Sequence, residues 1–382
     1  MSTQKKVFIH RQLENIIKKR INSGKAIIVL GPRQTGKTTL IEKIAKSTDD
    51  WLILNGDDMH EREMLENQNT EALKQIIGTK QTIFIDEAQR IKNIGLTLKI
   101  IIDQLKPRQI FATGSSSLEL ANEINEPLTG RKWEYMLFPI SWGELQQHVG
   151  YLSAVKQLEQ RMIYGSYPEV INNNGEEKEI LNEIVSSYLY KDLLSYKGIK
   201  KPEIIEKILK AIALQLGNEV SYNELAGLVQ VDKNTVQTYL DLLEKAFVIF
   251  RLQPLSRNLR NEISTNRKIF FYDNGIRNAL ISNYNPLNIR NDTGALWENF
   301  LISERKKTLE YNRIFANTYF WRTTYKQEID YIEERDGKLF AFEFKWNPNK
   351  KTRIPQKFSE AYPQSENKVI SRENFYEFLL EK

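Results

Sequence analysis

The segment from residue 26 to residue 40 joins a strand, a glycine-containing loop and a helix, and this order limits the fold of the chain strongly. The apolar run at 26–30 has the residue types of a buried strand and leads directly into the sequence G-x-x-x-x-G-K-T at 31–38. Glycines let successive backbone N–H groups turn towards phosphates, and the N-terminus of the following helix adds a partial positive charge. The segment therefore predicts an α/β fold, a P-loop NTPase parallel sheet with nucleotide at the end of a strand.

We expect this loop to bind ATP together with Mg²⁺. Lys37 has the length to reach the β- and γ-phosphates, and the hydroxyl of Thr38 can coordinate Mg²⁺. The neighbouring backbone supplies further contacts to the phosphates. The predicted nucleotide-binding residues are Gly31, Pro32, Arg33, Gln34, Thr35, Gly36, Lys37, Thr38 and Thr39.

A second apolar strand ends in two carboxylates, as hydrolysis at such a loop requires. Residues 82–86 read Thr-Ile-Phe-Ile-Asp, and Glu87 follows. We expect Asp86 to hold Mg²⁺ through water and Glu87 to orient and polarise the attacking water.

Two further residues are candidates for the hydrolytic step. The apolar run at 109–113 is followed by hydroxyl side chains, of which Ser115 is our candidate sensor of hydrolysis; a helix N-cap is the alternative role. Arg131 follows in Leu-Thr-Gly-Arg, and a guanidinium can stabilise charge in the transition state. The sequence leaves open whether Arg131 acts in its own subunit, acts on a neighbour or pairs with an acid.

Composition limits the other chemistry that the chain can carry. A length of 382 residues predicts two or three domains, and a formal net charge of +6 permits a nucleic-acid partner. The absence of cysteine excludes disulfides, thiol nucleophiles and thiolate zinc sites, and three histidines make a histidine-rich metal site improbable. The start of the sequence has no apolar leader and no run is long enough to span a bilayer, so we expect a cytoplasmic protein without a membrane partner.

The sequence resembles a family of prokaryotic AAA+-type ATPases. The resemblance rests on the loop at 31–38, on the segments that contain Asp86, Ser115 and Arg131, on Phe-Pro-Ile-Ser-Trp-Gly-Glu-Leu from residue 138 and on Tyr-Gly-Ser-Tyr-Pro-Glu from residue 164. The resemblance covers essentially the whole chain, because that family also joins its ATPase to a C-terminal domain of unassigned function. AAA+ proteins often work as oligomers, with arginines supplied across interfaces. The resemblance therefore implies a homo-oligomer or another protein partner.

The middle of the chain is predominantly helical and contains a predicted winged helix-turn-helix. Two short helices, near 221–228 and 233–245, precede an apolar strand, and the second helix would face a nucleic-acid groove. Winged helices also dock proteins, so both kinds of partner stay open. Residues 251–268 carry five basic residues against one glutamate, which suits either phosphate contacts or a solvated loop.

The C-terminal part brings carboxylates and a lysine into one pattern. Asp330 follows a short strand, and Glu343 and Lys345 lie two residues apart on another, which places both on the same face. Such a face can bind Mg²⁺ and hold a hydrolytic water for phosphodiester cleavage; a solvated face with a Glu–Lys pair is the alternative. The pattern resembles the PD-(D/E)xK nucleases. That resemblance implies that Asp330 and Glu343 are metal ligands, that Lys345 stabilises charge or positions water, and that Glu298 assists from a helix.

The sequence thus predicts an ATPase domain at 1–145, a helical and winged-helix region at 146–285 and an α/β restriction-endonuclease-like domain at 286–382. The leading functional hypothesis is an ATP-hydrolysing enzyme whose nucleotide state controls DNA engagement or cleavage by the later domains. The alternative is a nucleotide-dependent switch whose winged helix and inactive nuclease-like domain dock a protein partner.

Overall fold

The computed structural model describes residues 8–46, 50–115, 124, 126–189, 202–256, 267–323, 325, 327–350 and 353–380. The chain divides into two compact units. The first comprises residues 1–140 with 245–247, and the second comprises 141–244 with 248–382. The predicted boundary at residue 286 lies inside the second unit, and the division into three domains stays a prediction.

The first unit is built on a parallel sheet of five strands in the order β2-β3-β4-β1-β5. All four neighbouring pairs run parallel. The predicted parallel α/β sheet is therefore confirmed. The strands are β1 Ala26–Leu30, β2 Trp51–Asn55, β3 Thr82–Asp86, β4 Gln109–Gly114 and β5 Lys132–Met136.

Helices on both sides of this sheet bury the apolar side chains of its strands. Every residue of β1, β3 and β4 is buried, which is typical of parallel strands with both faces covered. A short 3-10 turn at Ala88–Arg90 and a π-helical turn at Ile101–Leu105 accompany the helices. The helices are α1 Gln12–Lys18, α2 Lys37–Ala45, α3 Met59–Leu65, α4 Thr70–Ile77 and α5 Ile94–Ile100.

The second unit contains a mixed sheet of seven strands in the order β12-β11-β10-β9-β7-β8-β6. Strands β9, β10 and β11 pair antiparallel, whereas β12 runs parallel to β11 and β7 runs parallel to β9. The strands are β6 Glu219–Val220, β7 Ile249–Pro254, β8 Arg267–Phe271, β9 Asn317–Arg322, β10 Glu328–Arg335, β11 Lys338–Lys345 and β12 Glu366–Ser371.

The longest helix of the described second unit, Thr293–Asn312, is anchored to this sheet by a buried ion pair. Arg305 donates to both carboxylate oxygens of Glu333 on β10, at 2.6 and 3.0 Å, and both side chains are fully buried. With this long helix as α15, the helices of the unit are α6 Trp142–Val149, α7 Tyr151–Lys156, α8 Leu158–Tyr164, α9 Pro168–Asn172, α10 Glu177–Glu183, α11 Pro202–Leu214, α12 Tyr222–Val229, α13 Lys233–Lys245, α14 Asn274–Leu280, α15 Thr293–Asn312, α16 Gln356–Ala361 and α17 Phe375–Leu380.

Helices α12 and α13 lie close to the predicted helix-turn-helix positions, and strands β6, β7 and β8 pair beside them in the chain. The winged-helix interpretation itself stays a prediction. Most of the basic tract, at 257–266, falls outside the described residues. Among the helices that the structure does describe, none combines the length and apolar character needed to cross a bilayer.

Candidate functional site

The phosphate-binding loop takes its shape from two glycines. Gly31 has a φ of +149°, and a Cβ there would lie 2.2 Å from the carbonyl oxygen of Leu137. Only glycine therefore fits at the point where the chain leaves β1. Gly36 has a φ of +89° and open space above its Cα. Helix α2 begins at the next residue, Lys37. The turn therefore presents backbone and a helix N-terminus where the phosphates are expected.

A buried arginine that the sequence analysis did not single out holds this loop in place. Arg11, the residue before α1, donates to the carbonyl oxygens of Thr35 and Phe138, each at 2.6 Å. The ammonium of Lys37 donates to the carbonyl oxygens of Gly31 and Pro32 at 2.9 Å. The ammonium of Lys37 thus lies next to the backbone of the first two residues of the loop.

Thr38 and Asp86, predicted from separate motifs, meet in the structure. The Thr38 hydroxyl donates to the Asp86 carboxylate at 2.9 and 3.1 Å, and Thr113 at the end of β4 donates to the same carboxylate. Burial raises the pKa of Asp86, while the hydrogen bonds from Thr113 and Thr38 oppose this rise. A hydroxyl beside a carboxylate suits Mg²⁺, which prefers oxygen ligands and keeps several waters.

Glu87 and Ser115 are joined by a glutamine that the sequence analysis missed. The side-chain amide of Gln89 donates to Glu87 at 2.5 Å and to the Ser115 hydroxyl at 3.0 Å. Ser115 also donates to Glu87 at 3.2 Å. Glu87 has a φ of +47°, a conformation that costs free energy and is concentrated at functional sites. The sequence signal for Gln89 is its place two residues after Glu87.

Arg131 lies at the other edge of this sheet. Its carbonyl oxygen accepts from the backbone N–H of Ala26, the first residue of β1, whereas the phosphate-binding loop leaves the last residue of that strand. Five strand residues separate the two edges by about 16 Å. The guanidinium instead donates to Asp103 at 2.8 Å. The structure does not bring Arg131 to the loop of its own subunit.

In the second unit, the predicted C-terminal residues converge. The Lys345 ammonium lies 2.8 Å from Glu343 and 4.0 Å from Asp330, and Asp330 accepts from the backbone N–H of Phe344 at 2.7 Å. Burial and the neighbouring Asp330 raise the pKa of Glu343, and burial raises that of Asp330. The other carboxylate oxygen of Glu343 is buried without a hydrogen-bond partner among the described residues.

Glu298 joins this cluster through a lysine that the sequence analysis counted only as part of the basic tract. Lys268 on β8 is 1% exposed; its ammonium lies 2.8 Å from Glu298 and also contacts Glu328. Burial raises the pKa of Glu298 to about 8, and Lys268 opposes this rise. Lys268 therefore pairs with buried acidic side chains instead of facing solvent.

The carboxylates of this cluster are arranged around ammonium groups. Lys268 holds Glu298 and Glu328, and Lys345 holds Glu343 and Asp330. Within the part of the chain that the structure describes, no three aspartate, glutamate, histidine or cysteine side chains are placed to hold a metal ion. The roles of Asp330 and Glu343 as metal ligands stay predictions.

Three segments of the chain match protein families. Residues 23–146 match the family described as an AAA domain, residues 155–292 match a domain of unknown function (DUF8612), and residues 293–378 match another (DUF4143). Together with the parallel sheet and its loop, the first match supports a P-loop ATPase domain in the N-terminal part and binding and hydrolysis of ATP there. The restriction-endonuclease-like interpretation has no such support and stays a prediction.

Relatives and a solved structure extend over most of the chain. An uncharacterized protein of Mycobacterium tuberculosis is 27% identical over 335 residues, covering 86% of this chain and 72% of that protein. An uncharacterized protein of Methanocaldococcus jannaschii is 26% identical over 330 residues, covering 80% and 71%. A Walker-type ATPase of Pyrococcus abyssi superposes with a TM-score of 0.51 at 14% identity, covering 73% of this chain and 98% of that one, which is a similarity of fold.

Proposed function

We propose that the chain binds Mg²⁺-ATP at residues 31–39 and hydrolyses it there, with Asp86 and Glu87 as the acidic residues of the site. The hydrogen-bonded group of Glu87, Gln89 and Ser115 is the observation that carries this proposal. These hydrogen bonds hold the Glu87 carboxylate in place. Glu87 is the neighbour of Asp86, which pairs with Thr38. A fixed carboxylate is what activation of a water by general-base catalysis requires.

Each residue then has a distinct task. Bound Mg²⁺ would neutralise charge on the phosphates, with the Thr38 hydroxyl as a ligand and Asp86 binding one of its waters. Glu87 accepts a hydrogen bond from the attacking water, and Gln89 keeps the Glu87 carboxylate oriented. Ser115 shares this hydrogen bonding and is the proposed sensor of hydrolysis.

Loss of the loop lysine tests the binding step. In Lys37→Ala the charge at the loop is lost, so we expect ATP affinity to fall by at least about a hundredfold. The matched control is Lys46→Ala, which removes an exposed lysine paired with Glu42 at the end of the same helix. Isothermal titration with a non-hydrolysable ATP analogue measures both; equal affinity in wild type and Lys37→Ala would rule out this assignment.

We further propose that the nucleotide state controls DNA engagement by the second unit. The support is α13, whose Lys233, Asn234 and Gln237 side chains are exposed near the start of the helix. Asp232 caps this helix, accepting from the Thr235 N–H at 2.9 Å, so the exposed end is well formed. Basic and amide side chains at the start of a helix are suited to phosphate and base contacts.

DNA binding and its effect on turnover test this coupling. We expect DNA to bind with an affinity that depends on nucleotide and to change the ATPase rate. The double variant Lys233→Ala/Gln237→Ala should weaken DNA binding at least about tenfold. Lys210→Ala, on the neighbouring α11, is the control. An ATPase that neither binds DNA nor responds to it would contradict the coupling and leave ATP hydrolysis standing.

A second candidate is a nucleotide-dependent switch whose second unit docks a protein partner and has no nuclease activity. The pairing of Glu298 with Lys268 favours it, because a buried ammonium lies beside one of the predicted nuclease-like residues. A partner that co-purifies in an ATP-dependent manner, with no effect of DNA on turnover, would select this candidate over the first.

A further inference from the structure

The buried ammonium of Lys268 lies among three acidic side chains. Its nearest oxygens belong to Glu298 and Glu328, and Asp330 acts on it electrostatically. Asp330 also lies 4.0 Å from the Lys345 ammonium. The cluster thus contains two ammonium groups, those of Lys268 and Lys345, among its carboxylates.

Lys268 is held in this position by the sheet. Strand β8 is an interior strand of the seven, and its residue 268 pairs with Leu252 of β7 on one side and with Glu219 of β6 on the other. Its ammonium also lies 5.6 Å from the ring centroid of Phe320 on β9. The side chain of Lys268 is 1% exposed, so the ammonium is buried among its acidic partners.

A lysine in this place competes with a divalent cation for the Glu298 carboxylate. Mg²⁺ binds carboxylate oxygens at about 2.0–2.1 Å and accepts nearly ideal octahedral geometry only. The Glu298 oxygen nearest to Lys268 is 2.8 Å from the ammonium, so a metal on that oxygen would lie beside a fixed positive charge.

We propose that Lys268 takes the place of the divalent cation in this cluster, and that the second unit binds no metal there and cleaves no phosphodiester bond. This inference rests on the nuclease-like interpretation of Glu298, Asp330, Glu343 and Lys345 and does not depend on ATP hydrolysis. The ion-paired cluster then serves as a support for the sheet and for α15, and any nucleic acid that the unit binds is left intact.

Mn²⁺ titration of the full-length protein without nucleotide tests the proposal. For wild type and Asp330→Asn we expect the same shift of the thermal unfolding midpoint by Mn²⁺ and the same Mn²⁺ isotherm, because no metal is bound at Asp330. In Lys268→Met the carboxylates lose their cation, so millimolar Mn²⁺ should raise the unfolding midpoint. This rise should disappear in Lys268→Met/Asp330→Asn. Lys338→Met, an exposed lysine on β11, is the control and should not respond to Mn²⁺.

Two results would overturn the proposal. One is a Mn²⁺ isotherm of the wild type that Asp330→Asn removes. The other is Mn²⁺-dependent nicking of plasmid DNA by the wild type that Asp330→Asn abolishes. Both comparisons use wild type and Asp330→Asn alone, so they decide the question even when Lys268→Met does not fold. An ATPase assay on the same preparations reports the ATP-hydrolysis proposal separately.

Discussion

The Thr38 hydroxyl donates to both carboxylate oxygens of Asp86, at 2.9 and 3.1 Å, and thereby links the first turn of α2 to the end of β3. These residues come from two motifs far apart in the chain, and the parallel sheet brings the ends of their strands to one edge. A hydroxyl and a carboxylate at this distance form a ready pair of oxygen groups for a hydrated Mg²⁺.

Asp86→Asn should raise the Mg²⁺ concentration that ATP hydrolysis requires. The amide keeps the shape of the side chain but loses the negative charge that attracts a metal-bound water. We expect the Mg²⁺ concentration for half-maximal ATPase rate to rise by about 10- to 100-fold. A Mg²⁺ titration of the initial rate measures this. Asp103→Asn, at the other edge of the sheet, should leave the titration unchanged; an unshifted Asp86→Asn curve would separate Asp86 from the metal.

Glu87→Gln should preserve ATP binding and slow hydrolysis. The amide is nearly the same size as the carboxylate but is not a base, so the rate should fall by about 10²- to 10⁴-fold. Steady-state turnover and analogue titration separate the two effects. Glu134→Gln, an exposed residue of β5, is the control. Turnover equal to wild type would exclude Glu87 as the residue that orients water.

Gln89→Ala should slow hydrolysis through Glu87. The change removes one oriented hydrogen bond to the carboxylate, worth about 1 to 1.5 kcal/mol, so we expect about a tenfold lower rate with unchanged ATP affinity. A double-mutant cycle measures the dependence: in a Glu87→Gln background, Gln89→Ala should have little further effect. Additive losses would show that Gln89 acts independently of Glu87.

Motifs of adjacent residues could be predicted from the sequence, whereas contacts across the sheet could not. The loop at 31–38 has a local signature because glycines and a helix start act through their own backbone. Arg11 and Gln89 act through tertiary contacts with Thr35 and Ser115, and neither contact has a local signature.

The position of Arg131 shows how one missed strand changes a prediction. The segment Lys132–Met136 mixes charged and aromatic residues and was not predicted as a strand, so Arg131 was interpreted as following β4. Because Arg131 precedes a parallel strand, it lies at the amino edge, away from the phosphates. Similarly, nothing in the sequence around Lys268 distinguishes it from other basic residues. Its contact with Glu298 depends on the folded sheet.

Gly165→Ala should destabilise the second unit strongly. Gly165, which follows α8, has a φ of +69°, and a Cβ there would lie 1.8 Å from a carboxylate oxygen of Asp273. That carboxylate accepts from the N–H groups of Ser166 and Gly275 at 2.7 and 2.8 Å and would have to move. We expect the free energy of unfolding to fall by about 3 kcal/mol or more.

Gly175→Ala is the matched control for this substitution. Gly175 also has a positive φ, +97°, but nothing lies within 4 Å of its Cβ position. Its cost should be limited to backbone strain, about 1 kcal/mol. Urea denaturation of both variants measures the difference, and equal losses would mean that the contact with Asp273 has no energetic consequence.

Asp292→Asn should destabilise the protein in a manner that depends on pH. Asp292 accepts from Arg290 at 2.7 Å and also from Arg277. Burial by itself raises the pKa of Asp292, but the hydrogen bonds from Arg290 and Arg277 lower it to about 2, below its ordinary value of 3.8. A carboxylate whose pKa is lower in the folded state stabilises that state above the unfolded pKa, and this contribution is lost as pH falls through the folded pKa.

The difference in the free energy of unfolding between wild type and Asp292→Asn should therefore be constant from about pH 7 to about pH 5. It should shrink as the pH falls from about 4 towards 2. At about pH 7 we expect a loss of about 2 kcal/mol, because the buried Arg277 loses a charged partner. Urea denaturation at several pH values measures it. Asp50→Asn, an exposed partner of Lys80, should cost less than about 0.5 kcal/mol. A loss of equal size at every pH would show that the charge of Asp292 does not stabilise the fold, since only an ionised carboxylate loses its advantage in acid.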